Sequence, residues 1–311
     1  MSSNQLTVRR VGAESASIVL SIIQDAFGGR PPLNPPADAL SDTVDGIATR
    51  LALSGGLVAK RGDEPVGALL LDPVGDTVYV RRFGVATAAR GQGVAEALVT
   101  AALEAAEGRS WLKVVAREEL PATVDFWRRR GFVQTDRRSP YIELTRPLPT
   151  RHEVATPDAM RALGRALAGE LRPGDLLVLM GDLGAGKTTF TQGLGAGLGV
   201  EGAVTSPTFV IAREHAVSGT GPQLVHVDAY RLGGAAELDD LDLDTDLDRA
   251  VTVVEWGEGL AEGLSSSRVD ITITRAAADD VVVDAEQDDV DARVVEILRL
   301  GPRWVQTLGG V

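Results

Sequence analysis

Short apolar runs alternate with polar and glycine-rich stretches along the chain, each run as long as one strand or one helix face. In the C-terminal half Leu176–Met180 is apolar without a break, the pattern of a strand buried on both faces of a parallel sheet. Leu224–Asp228 and Val251–Glu255 predict two further strands, and each closes on an acid. Phe190, Leu194 and Leu198 recur every four residues and predict a helix. Nearer the end, Val294–Leu300 reads as a short closing helix. In the N-terminal half Thr77–Val85 and Trp111–Ala116 predict strands. Between them Val94, Ala97, Leu98, Ala101, Ala102 and Ala105 fall at spacings of three and four, one face of a helix. A second helix is predicted over 123–130, stopped by Gly131.

A length of 311 residues suits two domains better than one. Two prolines in Arg146-Pro147-Leu148-Pro149-Thr150 mark the seam, giving expected domains 1–148 and 151–311. Charge divides at the same place. Residues 1–150 carry a net +1 and residues 151–311 a net −14, together the −13 of the whole chain. So acidic a second half is a poor clamp for nucleic acid, because phosphate binding needs clustered Lys and Arg. Without cysteine, disulfides, thiolate metal sites and cysteine nucleophiles are excluded. No apolar run approaches the roughly 18 residues of a membrane span, and Met1-Ser2-Ser3-Asn4 lacks the basic and apolar regions of a signal peptide. A cytoplasmic protein with no membrane partner is expected.

Directly after Leu176–Met180 comes Gly181-Asp-Leu-Gly-Ala-Gly186-Lys187-Thr188, which fits G-x-x-x-x-G-K-[ST]. Glycines let backbone N–H groups turn inward around phosphates, so Asp182, Leu183, Gly184, Ala185, Gly186, Lys187, Thr188 and Thr189 are candidate ATP-binding residues. Lys187 reaches the β/γ oxygens and the Thr188 hydroxyl ligates Mg²⁺; the helix that follows points its N-terminal dipole at the same anion. Gly193, Gly195 and Gly197 each weaken that helix by up to about 1 kcal/mol relative to alanine, and close packing is the expected reason. Ligands of open α/β sheets sit beyond the carboxyl ends of the strands, which brings Asp228 and Glu255 to the same loop. Lys187, Asp228 and Glu255 are the candidate catalytic residues, and Thr188, Asp228 and Glu255 the candidate Mg²⁺ ligands. One acid can hold the ion and the other orient the attacking water.

The set Gly-Asp-Leu-Gly-Ala-Gly-Lys-Thr-Thr (181–189), Thr205-Ser-Pro-Thr-Phe209, His226-Val-Asp-Ala-Tyr-Arg231 and Val254-Glu-Trp256 resembles the TsaE family across about residues 151–275. That resemblance implies a P-loop NTPase-like sheet flanked by helices. It also implies an ATPase subunit of the machinery that forms threonylcarbamoyladenosine at position 37 of tRNA. It places Trp256 at the nucleotide, makes Thr205–Phe209 a switch-like loop and implies TsaB–TsaD-like protein partners, with tRNA engaged through them. The match fades from about residue 276.

In the first domain, Arg90-Gly-Gln-Gly93-Val-Ala95 forms a glycine loop between strand and helix, an anion-binding arrangement. With Val85 before it, and Phe126-Trp127 and Gly131-Phe132 after it, the order resembles the GNAT acetyltransferases over about 140 residues. The resemblance implies a mixed sheet with helices and acetyl-CoA held by Val85, Arg90, Gly91, Gln92, Gly93, Val94 and Ala95. Many members have a tyrosine where this chain has Trp127, and an asparagine where it has Leu120; an indole N–H is no practical acid for a leaving thiolate. Transfer activity and a degenerate acyl-CoA-binding or structural role both stay open.

Asp242, Asp244 and Asp246 imitate an EF-hand loop, but Leu247 and Val253 stand where glycine and glutamate are required. Glu237–Asp248 reads as a solvated acidic connection or a docking face for a basic partner, and the acids between 279 and 291 as a polar stretch. His152, His215 and His226 are too scattered for a metal cluster, and His226 is expected packed and hydrogen-bonded within its strand. A small-molecule kinase would bring an arginine-rich lid, whereas arginines after residue 187 are single and dispersed. A nucleotide-dependent scaffold without useful turnover is the remaining alternative.

Overall fold

The computed structural model describes residues 5–308 apart from 220, 234–236, 238–248 and 277–291. The EF-hand-like acids and the acids of 279–291 therefore lie outside the described residues. By its internal contacts the chain divides into two compact units, Met1–Leu148 and Pro149–Val311, each with a seven-stranded sheet. Among the described residues no helix is long and apolar enough to cross a membrane.

The first unit runs β1 (Leu6–Val11), α1 (Ala16–Gly28), α2 (Val44–Ser54), β2 (Gly56–Arg61), β3 (Glu64–Val74), β4 (Thr77–Val85), α3 (Val94–Ala105), β5 (Trp111–Arg117), α4 (Pro121–Arg128), β6 (Val133–Arg138) and β7 (Tyr141–Pro147). The sheet order is β1-β2-β3-β4-β5-β7-β6, antiparallel except between β4 and β5. α3 buries Val94, Leu98 and Ala102 on the face its spacing predicts, and Val99 beside them. α4 begins earlier than its apolar spacing suggested, because Pro121 occupies the first turn, where a missing N–H costs nothing. The parallel β4–β5 pairing covers only Thr77–Val80 against Trp111–Val114. Beyond it each strand keeps its outer neighbour, β3 or β7, so the sheet opens between them.

The second unit runs β8 (Thr150–Val154), α5 (Pro157–Ala168), β9 (Leu176–Met180), α6 (Lys187–Leu198), β10 (Ala212–His215), β11 (Gln223–Asp228), β12 (Ala250–Glu255), β13 (Arg268–Arg275), β14 (Arg293–Leu300) and a final helix, Pro302–Leu308. Its sheet order is β10-β11-β12-β9-β13-β14-β8, with β11, β12, β9 and β13 mutually parallel. β9 is apolar throughout because both faces are covered. Leu177 and Leu179 pack in one core with Phe190, Leu194 and Trp304, and Leu176 and Val178 in another with Val225 and Val254.

The closing helix expected over Val294–Leu300 is instead strand β14. It pairs along its whole length with β13 and by its first half with β8. A short apolar run cannot distinguish the two states by periodicity; β-branched Val294, Val295 and Ile297 meeting an unpaired edge of β13 decide for the strand. Helix follows only at Pro302, and Arg303 ties it back through an ion pair to buried Asp175 at 2.8 Å.

α5 and α6 pack backbone against backbone, which accounts for Gly164, Gly193 and Gly197. A Cβ on Gly193 would stand 2.1 Å from the Arg161 carbonyl oxygen, and one on Gly164 would stand 2.3 Å from that of Phe190. A Cβ on Gly197 would stand 2.5 Å from that of Ala168 in α5, and one on Gly195, on another side of α6, would stand 2.7 Å from the Val204 side chain. Gly193→Ala should therefore reverse the usual helix preference and destabilise the second unit by about 1–3 kcal/mol, as overpacking does. Denaturant unfolding of the full chain checks this; a variant as stable as the parent would show that the helices can separate without loss.

Candidate functional site

Register builds the site of the second unit. Asp228 of β11 lies beside Glu255 of β12, and Glu255 beside Leu179 of β9, so three parallel strands end at one level. The loop from β9 rises at that level and re-enters as α6, with Gly186 as N-cap at φ 111°, a conformation a side chain would strain.

Lys187 is buried, and its ammonium donates to the carbonyls of Gly181 (2.7 Å) and Asp182 (3.0 Å). The same ammonium lies 3.7 Å from the centre of the Trp256 ring. Burial pulls the Lys187 pKa below its ordinary value, while the negative charges of Glu255, Asp228 and Asp182 push the other way. Trp256 adopts φ 61°, sparsely populated for a non-glycine residue, and is anchored by its N–H to the Leu179 carbonyl at 3.0 Å. Its ring also meets Tyr230, 5.2 Å between centres.

The two acids are held differently. Glu255 accepts the Thr188 hydroxyl (3.1 Å), and its Oε1 lies 2.8 Å from Nε2 of fully buried His226. Asp228 accepts the hydroxyls of Ser206 (3.1 Å) and Thr208 (2.5 Å) and the Tyr230 N–H (3.1 Å). Thr205–Phe209 is thus tied to Asp228, with Phe209 and Val210 exposed beside it. Leu183, at the loop tip, is exposed too, and Thr189 is half-buried. The donor set, two carboxylates and a hydroxyl, is all hard oxygen and fits Mg²⁺. Among the described residues no three His, Cys, Asp or Glu side chains form a cage, so such an ion would complete its shell with phosphate and water.

Two supports were not legible in the sequence. Arg293 at the start of β14 donates to the Ala185 carbonyl at 3.2 Å and to that of Gly184 at 3.5 Å, bracing the glycine loop from 108 residues away. His226 was expected to be hydrogen-bonded, but only the register of β11 on β12 identifies Glu255 as its partner. Arg231, the nearest cation by sequence, stacks on Phe209 at 4.8 Å.

In the first unit Gly93 caps α3 at φ 77° after Gly91 at 74°. Val85, Arg90, Gly91, Gly93, Val94 and Ala95 line a recess of about 420 Å³ with Ala89, Glu96 and Phe126. Gln92 instead turns to the loop itself, its side-chain amide donating to the Ala88 carbonyl at 2.9 Å. Trp127 is buried edge-on against Phe83, Phe126 and Phe132, so an apolar cluster occupies the position where the GNAT resemblance would place a hydroxyl.

Comparison with known proteins agrees with this division. The model of the family described as threonylcarbamoyl adenosine biosynthesis protein TsaE matches residues 154–282. A relative from Streptomyces coelicolor named tRNA threonylcarbamoyladenosine biosynthesis protein TsaE is 59% identical over 146 residues, 47% of this chain and 93% of the relative. The chain belongs to the TsaE family. TsaE proteins of Mycobacterium bovis (51% identity, 38% of this chain and 74% of theirs) and Bacillus subtilis (43% identity, 41% and 78%) match the same half. The Acetyltransferase (GNAT) family model matches residues 22–132, so a GNAT-like domain precedes the TsaE domain in one chain.

Because Arg293 holds two carbonyls of the TsaE glycine loop, Arg293→Met should destabilise the second unit by about 1.5–3 kcal/mol, the range for hydrogen bonds involving a charged group. ATP affinity should fall with it. Unfolding and calorimetry that both match the parent would remove Arg293 as a brace.

Proposed function

We propose that the second unit is a Mg²⁺-dependent ATP hydrolase that supports formation of N6-threonylcarbamoyladenosine at position 37 of tRNA, working with TsaB–TsaD-like protein partners. The observation that carries the hydrolase reading is the convergence of Lys187, Thr188, Asp228 and Glu255 at the ends of β9, β11 and β12. The tRNA reading is supported by the family and by the names its relatives carry.

Lys187 is poised to exchange its two carbonyl acceptors for β/γ-phosphate oxygens, which relieves the cost of its burial. Backbone N–H groups of 182–189 line the other side of the anion, and Trp256 closes over the lysine as part of the nucleotide site. Bound Mg²⁺ would supply a Lewis acid that spreads the charge of the transferring phosphoryl group. Thr188 and Asp228 or Glu255 would hold it directly, and the other acid, in reach of the ion through water, would orient water for in-line attack. His226 fixes the orientation of Glu255, and Ser206 and Thr208 that of Asp228. No arginine cluster stands over the loop among the described residues, and an incomplete P-loop site turns over slowly, about 10⁻⁴–10⁻² s⁻¹, until a partner supplies what is missing.

For the first unit we propose acetyl-CoA binding, its pyrophosphate on the amides of 90–95. Gly93→Phe should abolish that binding in calorimetry with the fold intact, and normal binding by this variant would place the cofactor elsewhere.

Lys187→Ala should weaken ATP affinity at least tenfold, whereas Glu255→Gln should lower turnover more than affinity. Phosphate release by the full chain, alone and with TsaB–TsaD-like proteins and tRNA, is the decisive measurement. Fast hydrolysis indifferent to those partners, or to either substitution, would overturn the assignment.

A further inference from the structure

Where β4 and β5 part beyond Val80 and Val114, the first unit encloses a cavity of about 240 Å³. Its floor is apolar, with Val80, Val114 and Trp127. Its walls carry four arginines, Arg30, Arg81, Arg82 and Arg117, against a single acid, the exposed Asp38. Three of the four already have carboxylate partners that lie outside the lining. Arg81 pairs with Asp72 at 3.2 Å, Arg82 with Asp42 at 2.5 Å and Arg117 with Glu119 at 2.7 Å.

Arg30 differs. Its guanidinium lies over the Phe27 ring, 3.7 Å from the centroid, and pairs with no acid among the described residues. Burial lowers its pKa, and the nearby positive charge of Arg90 lowers it further. A half-buried guanidinium with a second cation beside it is satisfied by a planar anion that accepts two N–H bonds. The cavity also adjoins the glycine-loop recess through shared aromatic walls. Phe83 of the cavity packs on Phe126 of the recess, 6.0 Å between centres. Arg82 stands in the opening at φ 56°, a strained conformation of the kind that persists at working sites.

We infer that the acceptor of the first unit is a small primary amine bearing a carboxylate or phosphate, seated with its anion on Arg30. This rests on the acetyl-CoA reading given above. The amine, having lost a proton from its ammonium form to solvent, attacks the thioester carbonyl. The C–N bond forms, the C–S bond breaks, and the coenzyme leaves as a thiolate that takes up the amine's second proton. The products are the N-acetylated anion and free thiol. The volume admits a metabolite-sized amine, and the unpaired positive charge disfavours a neutral or cationic one.

The test is acetyl-CoA-dependent thiol release by the full chain, with matched acceptors: free amino acids against their amides, and phosphoethanolamine against ethanolamine. At least one anionic amine should be acetylated with kcat/KM tenfold or more above its neutral partner, and the two arms separate carboxylate from phosphate. Arg30→Gln should raise KM for that acceptor at least tenfold and leave KM for acetyl-CoA and the melting temperature unchanged. Equal use of neutral amines, an Arg30→Gln variant with unchanged KM, or no transfer to any of them while acetyl-CoA still binds in calorimetry would overturn the inference. Absence of acetyl-CoA binding would instead remove the reading beneath it.

Discussion

A lysine ammonium taken out of water must be met by acceptors or it will not stay charged, and in the second unit that demand falls on one residue. Lys187 is the sole lysine of residues 151–311. It is met by two carbonyls of its own loop, by the face of Trp256 and by the field of three acids. Each partner imposes something. The carbonyls require the loop to curl inward, and the ring requires Trp256 to enter the left-handed region just past β12. The acids require β11 and β12 to stop level with β9. The same interactions that stabilise the cation without phosphate also leave it aimed at the place where phosphate would lie.

What could be read from residues alone was what is local. The glycine loop, the strand before it and the helix after it sit within a short stretch, and Asp228 and Glu255 announce themselves as the last residues of apolar runs. What could not be read depends on pairing. Val294–Leu300 reads as a helix because seven apolar-rich residues do not reveal the waiting edge of β13. Arg293 acts on Ala185 across 108 residues, and the reach of a guanidinium is invisible until β14 lies in the sheet. The glycines of α6 point to close packing, but not to α5 as the partner of Gly193 and Gly197. In the first unit the arginines of the open cleft come from a helix end and two strands, with no spacing that would join them.

The two units use the same local device, a strand, a glycine turn and a helix capped by glycine in the left-handed region, and surround it with different chemistry. Around Gly186 stand a buried lysine, a threonine hydroxyl and two acids, the furniture of phosphoryl transfer. Around Gly93 stand small apolar residues and Phe126, with no acid or base of comparable burial; that suits holding a cofactor whose thioester is already activated. The glycine turn specifies an anion, and the side chains about it decide what is done with that anion.

Strand order in the second sheet carries a consequence for how the protein is made. β13 borders β9 directly, and β8, which opens the unit, pairs with β14, Thr150 opposite Ile297. A ribosome delivering about 5–20 residues each second exposes the glycine loop well before either β13 or β14 exists. During that interval β9 lacks β13 on one flank and, until Ala250–Glu255 is made, β12 on the other, and Arg293 has not yet been synthesised. The first sheet, by contrast, is complete once Pro147 has emerged. Nascent chains therefore pass through a period in which the GNAT-like unit is finished and the surroundings of the second unit's glycine loop are not, and a chaperone or protease would meet the second unit at its most vulnerable there.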